Sequence, residues 1–226
     1  VDETGWRVGG RNNWLWAFVT DRLALYRIAP SRAGRIAAAE LGKDFGGVVV
    51  ADFFSAYNKL NCEQQKCIVH LLRELRECAK KNKTAEFAAF RKKLKRVIAD
   101  AVRLVAREDY DPDKNESLVW RLHDRLATLG AAEYKNPDCR RIAKRLRQHE
   151  AKLLTFLFHP GVVTPDNNRA ERAIRPAVVI RKISGGSRTP GGANATADLM
   201  SLSQTCRLNG VGFVPFILKA LRHHLC

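Results

Sequence analysis

The pattern of apolar and polar residues changes once along the chain. Its first third holds short segments rich in β-branched and aromatic residues, at 1–8, 14–20 and 23–28. Gly9-Gly10 with Asn12-Asn13 separates the first pair and Asp21-Arg22 the second, which predicts a three-stranded antiparallel meander. From residue 71 to 160 apolar residues instead recur every three or four positions, which predicts helices.

The residues between these two regions predict further short elements. Ser31 is a candidate N-cap for a helix that ends near Leu41. Val48–Ala51 is an unbroken apolar run typical of a strand buried on both faces, and it ends at Asp52. We expect a short helix over 53–60, one more strand over 66–69 and a helix from Leu71.

This order of three strands, helix, strand, helix, strand and helix is that of the ribonuclease-H-like fold. The predicted class is therefore α/β. The sequence divides into a first part of the core at 1–70, a helical region at 71–165 and a final part at 166–226. In the final part we predict a helix, a Gly-rich basic loop at 181–192 and two C-terminal helices, near 195–208 and 215–225.

Composition points to a folded protein with a polyanionic partner. Of the 226 residues, 46% are hydrophobic, and no apolar run approaches the ~20 residues of a membrane span. The six cysteines form no Cys-x-x-Cys pair, so we expect reduced thiols and a cytoplasmic location. The net charge is +17, which favours nucleic-acid binding, although a basic surface can serve solubility alone.

The basic residues are concentrated on predicted helices after residue 70. One cluster comprises Arg91, Lys92, Lys93, Lys95 and Arg96, and a second comprises Arg140, Arg141, Lys144, Arg145 and Arg147. Each cluster is either a DNA-contacting surface or a solvated helix face. Because the chain lacks an initiator methionine and Met200 is its only one, we interpret it as part of a longer protein.

Three carboxylates are candidates for a metal site. Asp52 ends a buried strand, where an unpaired carboxylate costs several kcal/mol unless it binds a cation. Asp2 lies on the first strand, which in this topology runs beside the Asp52 strand, and Glu3 is the alternative because the pleat is not fixed by sequence. Like charges held close together favour a bound divalent ion, and hard oxygen ligands select Mg²⁺ or Mn²⁺.

Glu171 is the third candidate. Asn167 or Asn168 caps its predicted helix, and helical spacing places Asn168, Glu171 and Arg175 on one face. Ala170 and Ala173 are small enough for the helix to approach the sheet closely. The alternative is that Glu171 only completes a capping box or a surface ion pair.

These segments resemble the DDE transposases of bacterial insertion sequences, family sixty-six, along essentially the whole chain. The resemblance rests on VDETGWRV, VVVADFFSAYN, CIVHLLREL, TPDNNRAERAIRP, RKISGGSRTPGG and SLSQTCRLNG. It implies a ribonuclease-H-like, retroviral-integrase-like mixed sheet with a large helical insertion before the last catalytic acid. It further implies that Asp2, Asp52 and Glu171 are the catalytic and metal-binding triad, with two Mg²⁺ or Mn²⁺ ions.

The resemblance also implies partners and a reaction. Water frees a 3′ hydroxyl at the transposon end, and that hydroxyl attacks target DNA. The expected partners are transposon ends, target DNA, a further copy of the chain on DNA and accessory proteins of the same element, with no membrane and a nucleoid-associated location. The family usually carries DNA-binding elements N-terminal to this region.

Supporting residues have two interpretations each. His70 and Asn168 are possible auxiliary site residues, while His70 could equally be a satisfied core histidine. The candidate DNA-binding residues are Arg172, Arg175, Arg181, Lys182 and Arg188. Arg172 and Arg175 could instead neutralise Glu171, and the Gly-rich stretch could be an ordinary loop.

Two other functions remain open at this stage. A related metal-dependent nuclease would stop after hydrolysis, since the same fold and metal site serve nucleases. A non-catalytic DNA-binding transposase relic would keep the basic charge without binding divalent ions.

Overall fold

The computed structural model describes the backbone of residues 1–225 and the side chains of residues 1–222. Cys226, one of the six cysteines, lies outside the described residues. Contacts divide the chain into two compact units, each with its own hydrophobic core. The meander unit comprises residues 1–44, 55–61 and the chain from Asn167 onward, and the helical unit comprises residues 45–54 and 62–166.

The meander unit is built on the predicted three-stranded antiparallel sheet. Strands β1 (Asp2–Val8), β2 (Arg11–Val19) and β3 (Ala24–Ala29) pair in that order. Gly9 and Gly10, with φ of 54° and 77°, make the first turn, because a tight hairpin turn requires positive φ at both positions. The predicted meander is confirmed.

Register decides which residues of the meander face which layer. Asp2 pairs with Ala17 and Ala17 with Tyr26, so these three side chains share one face. On that inner face Trp6, Leu15 and Tyr26 are buried with alanines of α6 (Asn168–Ser184) and α7 (Pro190–Leu208).

The outer face of the meander carries Glu3 and Trp16. It is covered in part by α1 (Gly34–Leu41) and by a 3-10 helix over Ser55–Lys59, whose Tyr57 ring packs edge-on against Trp16. The unit ends with α8 (Phe213–Leu225).

The helical unit combines a two-stranded parallel sheet with four helices. Strand β4 (Val48–Ala51) pairs with β5 (Glu63–Lys66). The helices are α2 (Ile68–Lys81), α3 (Ala85–Val105), α4 (Glu116–Ala131) and α5 (Pro137–His149), followed by 3-10 turns at Glu150–Lys152 and Thr155–Leu157. The predicted apolar stripes form the core, with Phe87, Phe90, Leu94, Leu126 and Ile142 all at most 2% exposed.

Three local predictions are wrong. Helix α1 begins after Ala33, two residues beyond the predicted N-cap Ser31, whose hydroxyl accepts from the Ala33 amide instead. The strand predicted over 66–69 is β5 at 63–66, because the apolar residues Ile68 and Val69 open α2 instead. The predicted loop over 181–192 is reduced to 185–189, because α6 continues to Ser184 and Pro190 starts α7.

The strands therefore form two small sheets, one antiparallel and one parallel, among eight described helices. This confirms the α/β class. Among the described helices, none combines the length and apolar composition required to cross a bilayer.

Candidate active site

Asp2 lies at the start of β1 on the inner face of the meander, the face that packs against α6. Its side chain is half-buried, and Oδ1 accepts a hydrogen bond from the Glu3 amide at 3.0 Å. The carboxylate thus belongs to the layer between β1 and α6.

Glu3, the alternative first ligand, points to the opposite face and is engaged there. Its side chain is only 2% exposed and accepts from Arg32 Nε at 2.9 Å and Nη2 at 2.6 Å. The Tyr57 hydroxyl donates to its second oxygen. Both carboxylate oxygens therefore have strong donors, which gives Glu3 a structural role in joining β1 to the segments that cover the outer face.

Glu171 lies in the first turn of α6 and is half-buried. The helix is preceded by Asn167, as predicted, and the Glu171 amide donates to the Asn167 carbonyl at 3.1 Å. Glu171 is consequently the fourth helical residue, whereas the glutamate of a capping box is the third. The capping-box interpretation does not fit this geometry.

Helix α6 is fastened to the sheet along its length. The Asn167 side chain donates to the carbonyl of Val1 at 2.9 Å, next to Asp2. The Tyr26 hydroxyl donates to the Ala173 carbonyl at 2.6 Å, and burial raises the pKa of Tyr26 to about 12, so it stays a donor. Asp2 and Glu171 therefore lie toward the same end of the β1–α6 layer.

Small residues and a proline make this close fit possible. Ala170, Ala173 and Ala177 of α6 are at most 2% exposed, as the sequence predicted for the first two. Pro176 has no amide proton, so the Arg172 carbonyl loses its helical donor and the helix can bend at this turn.

Asp52 belongs to the helical unit and follows β4 directly, as predicted. It is half-buried, and Oδ1 accepts from the Phe54 amide at 2.8 Å. Such a bond two residues along the chain fixes the turn after the strand. The Asp52 carboxylate is thus held at the carboxyl end of a parallel strand, where ligands of such sheets commonly bind.

Lys66 is a neighbour of Asp52 that the sequence analysis missed. It is fully buried at the end of β5, and its Nζ donates to the Asp52 carbonyl at 3.2 Å. Burial, with the positive charge of Lys152 as a second cause, lowers the pKa of Lys66 to about 8. A lysine in a polar strand gives no periodic signal, so only the pairing of Ala51 with Lys66 identifies it.

The start of α2 lies beside the end of β4 in the same unit. The Cys67 amide donates to the Ala51 carbonyl at 2.8 Å, which extends the β4–β5 ladder up to the residue that precedes α2. His70 follows in the first turn of α2 and is half-buried. Asp52, Cys67 and His70 thus lie around one end of the parallel sheet.

The predicted DNA-binding residues separate into two groups. Arg172, Arg175, Lys182 and Arg188 are exposed, and among the described side chains none of the four forms an ion pair. Arg181 instead is half-buried and donates to the Gly5 carbonyl at 2.6 Å and to the Thr4 hydroxyl at 3.1 Å.

The two basic clusters of the helical unit also differ. Arg141 and Arg145 both pair with Glu74, and Arg147 donates to the Gly130 carbonyl, so much of the second cluster is used within the unit. Arg91 and Lys95 of the first cluster line a groove of about 390 Å³ between α2 and α3, together with Arg73 and Arg76.

The carboxylates are thus divided between the units: Asp2 and Glu171 belong to the meander unit and Asp52 to the helical unit. Each is half-buried, Asp2 at the start of a strand, Asp52 directly after a strand and Glu171 in the first turn of a helix. Half-buried carboxylates of this kind are suited to hold a hard divalent cation.

Comparison with known proteins places the chain in a family. Residues 1–195 match the model of the family described as "Transposase IS66 family". A curated protein of Sinorhizobium fredii, named uncharacterized protein y4qI, is 27% identical over 92% of this chain and 43% of its own length. The chain therefore spans less than half of that relative. No solved structure gives a significant match. Since the family model covers most of the sequence, this protein belongs to the IS66 family of transposases.

Proposed function

We propose that this chain is the catalytic core that cleaves and joins DNA strands during transposition, with Asp2, Asp52 and Glu171 as ligands of divalent metal ions. Family membership supports the reaction class. The choice of residues rests on the position of each carboxylate. All three are half-buried, and hydrogen bonds hold the backbone at or next to them, from Asn167 to the Val1 carbonyl and from the Phe54 amide to Asp52.

The arrangement within the meander unit favours Asp2 over Glu3 as the first ligand. Glu3 has both oxygens committed to Arg32 and Tyr57 on the outer face. Asp2 lies on the meander face that packs against α6, the helix that carries Glu171, which supports the proposal that the two share an ion.

The proposed fold of the complete site is ribonuclease-H-like. The confirmed meander, followed by α1, β4 and β5, supports this proposal through the order of its elements. In this proposal residues 71–165 are a helical region that includes the insertion before the final acid, and residues 166–226 hold the final catalytic helix, the Gly-rich basic loop and the C-terminal helices.

When bound, two Mg²⁺ or Mn²⁺ ions would lower the pKa of the attacking oxygen and stabilise the leaving oxygen. Within each unit, hydrogen bonds hold the segments that carry these carboxylates, so each carboxylate loses little freedom when an ion binds. The buried Lys66 ammonium holds the backbone of Asp52 by donating to its carbonyl. His70 and Asn168, both half-buried in first helical turns, are the proposed auxiliary residues.

The reaction has two steps. Water adds to the phosphorus at the transposon end, and the bond from phosphorus to the 3′ oxygen breaks, which leaves a 3′ hydroxyl. That hydroxyl then attacks a phosphorus of the target, forming the new phosphodiester and releasing the target's own 3′ oxygen. No covalent bond to the protein forms.

The exposed cations Arg172, Arg175, Lys182 and Arg188 are proposed to contact DNA phosphates. Arg181, anchored on β1, shapes the surface beside them. We further propose that the chain acts as a homo-oligomer on paired DNA ends, with accessory proteins of the same element.

A strand-transfer assay tests the function. Purified protein with Mn²⁺ is expected to join an oligonucleotide carrying a free 3′ hydroxyl to a plasmid target. Asp52→Asn and Glu171→Gln should abolish joining, while the exposed control Asp44→Asn retains it. Joining that survives both substitutions contradicts the mechanism.

The products separate the alternatives. Hydrolysed ends without joined strands would identify a nuclease. Salt-dependent DNA binding without products and without divalent-ion binding would identify a DNA-binding relic.

A further inference from the structure

A cavity of about 540 Å³ lies at the β1–β2 hairpin of the meander unit, beside the C-terminal end of α6. Its walls include Gly5, Arg7, Asn12, Trp14 and Arg181. All of them belong to the meander unit, and the cavity is not formed by the carboxylates of the proposed active site. Its composition therefore requires a separate explanation.

The cavity exists because one strand position has no side chain. Gly5 pairs with Trp14 across β1 and β2, so no β1 side chain lies directly opposite the indole, and Arg181 Nη1 lies 3.4 Å from the position that a Cβ atom at Gly5 would take. A glycine inside a strand commonly marks a place where another group approaches the backbone closely. The Arg32 guanidinium lies 4.6 Å from the Trp14 ring centroid and holds the indole in position.

The rim of the cavity is fixed to β1 by backbone bonds. The Ser187 amide donates to the Arg7 carbonyl at 2.8 Å, and the Gly9 amide donates to the Ser187 carbonyl at 2.9 Å. The Trp6 indole N–H donates to the Ser187 hydroxyl at 3.1 Å. The end of α6 and the start of the predicted Gly-rich basic loop are thus docked on the sheet.

Gly186 makes this docking possible. Its φ is +119°, and a Cβ atom there would lie 2.3 Å from the Arg7 carbonyl oxygen. Any other residue would have to move the segment away from β1. The segment that follows α6 is therefore held against β1 before any ligand binds.

The chemistry of the walls selects one kind of ligand. Trp14 offers a flat aromatic surface, Arg7 and Arg181 supply two positive charges, and no carboxylate is among the lining residues. Asn12, exposed beside Arg7, offers an amide that can donate to and accept from a base edge. Flat aromatics combined with arginines bind unpaired bases and their phosphates.

We propose that this cavity binds one unpaired nucleotide of a DNA strand, with its base against Trp14 and its phosphate beside Arg7 and Arg181. The proposal rests on the proposed function in taking DNA as the substrate. A paired base is stacked within its duplex and cannot enter, so the nucleotide must come from a single-stranded or locally opened segment. The cavity thereby gives the core a preference for DNA whose strands are separated.

A binding experiment with matched strands tests the cavity. The probe is a fluorescent ten-residue strand of abasic sugar-phosphates with one central thymine, compared by anisotropy with a fully abasic strand of equal charge. Stacking of one base contributes roughly 1–3 kcal/mol, so the thymine strand should bind about 5- to 150-fold more tightly.

Variants assign that preference to the cavity. Trp14→Leu fills the space without a flat ring and should make the two strands bind equally, while Trp14→Phe should keep part of the preference. Trp120→Leu, at an exposed tryptophan of the helical unit, is the matched control and should keep all of it. Equal binding of the two strands by the unaltered protein, or a preference that survives Trp14→Leu, overturns the proposal.

The outcome is separable from that of the proposed function. A protein that transfers strands but does not prefer the thymine strand overturns the cavity alone. A protein that prefers the thymine strand but never joins DNA supports the cavity and contradicts the transposition chemistry.

Discussion

Removing the charge of Glu3 should weaken the fold while leaving metal binding intact. The Glu3 side chain is 2% exposed and accepts two hydrogen bonds from Arg32 and one from Tyr57. Glu3→Gln keeps the shape but replaces one acceptor oxygen with an amide group that faces the Tyr57 hydroxyl. Hydrogen bonds to a charged group contribute about 1.5–3 kcal/mol to stability. The Arg32 side chain is 39% exposed, so water can rehydrate its charge and offset part of that loss.

We therefore expect Glu3→Gln to lower the free energy of unfolding by about 2 kcal/mol. For a chain of this size, that corresponds to a fall in Tm of roughly 4–8 °C. Glu3→Ala, which leaves the guanidinium and the hydroxyl without their acceptor, should cost about 3–5 kcal/mol.

The assay pairs thermal unfolding in a chelator with calorimetric titration of Mn²⁺. Glu3→Gln should bind Mn²⁺ like the unaltered protein, and Asp2→Asn should bind it at least tenfold more weakly. Unchanged Tm in Glu3→Gln, or a loss of Mn²⁺ binding equal to that of Asp2→Asn, would refute the assignment of these adjacent residues to different roles.

Three further predictions concern other parts of the molecule. Burial, followed by the charges of Lys66, Lys152 and Arg145, lowers the pKa of His149 to about 4, below its ordinary 6.5. The unfolded chain therefore binds more protons between these values, and stability should fall by about 3 kcal/mol as pH drops from 6.5 to 4; urea titrations across this range should show a flatter profile in His149→Gln. Replacing both Arg91 and Lys95 with Gln should change how strongly salt weakens DNA binding: the slope of the logarithm of the DNA-association constant against the logarithm of salt concentration should become smaller in magnitude by about 1.8. An unchanged slope would exclude this groove as a phosphate contact. Gly186→Ala should cost about 2 kcal/mol or more in thermal unfolding because of its positive φ and the Arg7 carbonyl, whereas Gly191→Ala, which meets nothing within 4 Å, should be tolerated.

The parts of the fold that sequence could predict are those where burial follows a simple period. The meander alternates apolar residues between its faces, and the α3 stripe from Phe87 to Leu104 repeats every three or four residues. In both cases the hydrophobic effect acts on a regular pattern, so pattern and structure agree.

Strand β5 could not be predicted from apolar periodicity, because its buried residues are polar. Its sequence is Glu-Gln-Gln-Lys, yet Gln64, Gln65 and Lys66 are at most 3% exposed. Gln65 donates to the Lys66 and Leu153 carbonyls and accepts from the Phe156 amide, so long-range hydrogen bonds replace apolar burial. Leu153 and Phe156 lie 88 and 91 positions from Gln65 and leave no trace in the local pattern.

Local sequence patterns predicted only part of the candidate site. The end of an apolar strand indicates Asp52, and helix-start residues indicate Glu171. Choosing between Asp2 and Glu3 required the register of β1 against β2, and the role of Gly186 required a backbone distance. Neither quantity is encoded in residue types alone.

The most direct test of the central claim is anomalous diffraction from crystals of this protein soaked in Mn²⁺. If the three carboxylates hold the metal ions, manganese peaks should lie roughly 2 Å from carboxylate oxygens of Asp2, Asp52 and Glu171. Manganese bound only by other residues, or absent from all three carboxylates at saturating concentration, would contradict it.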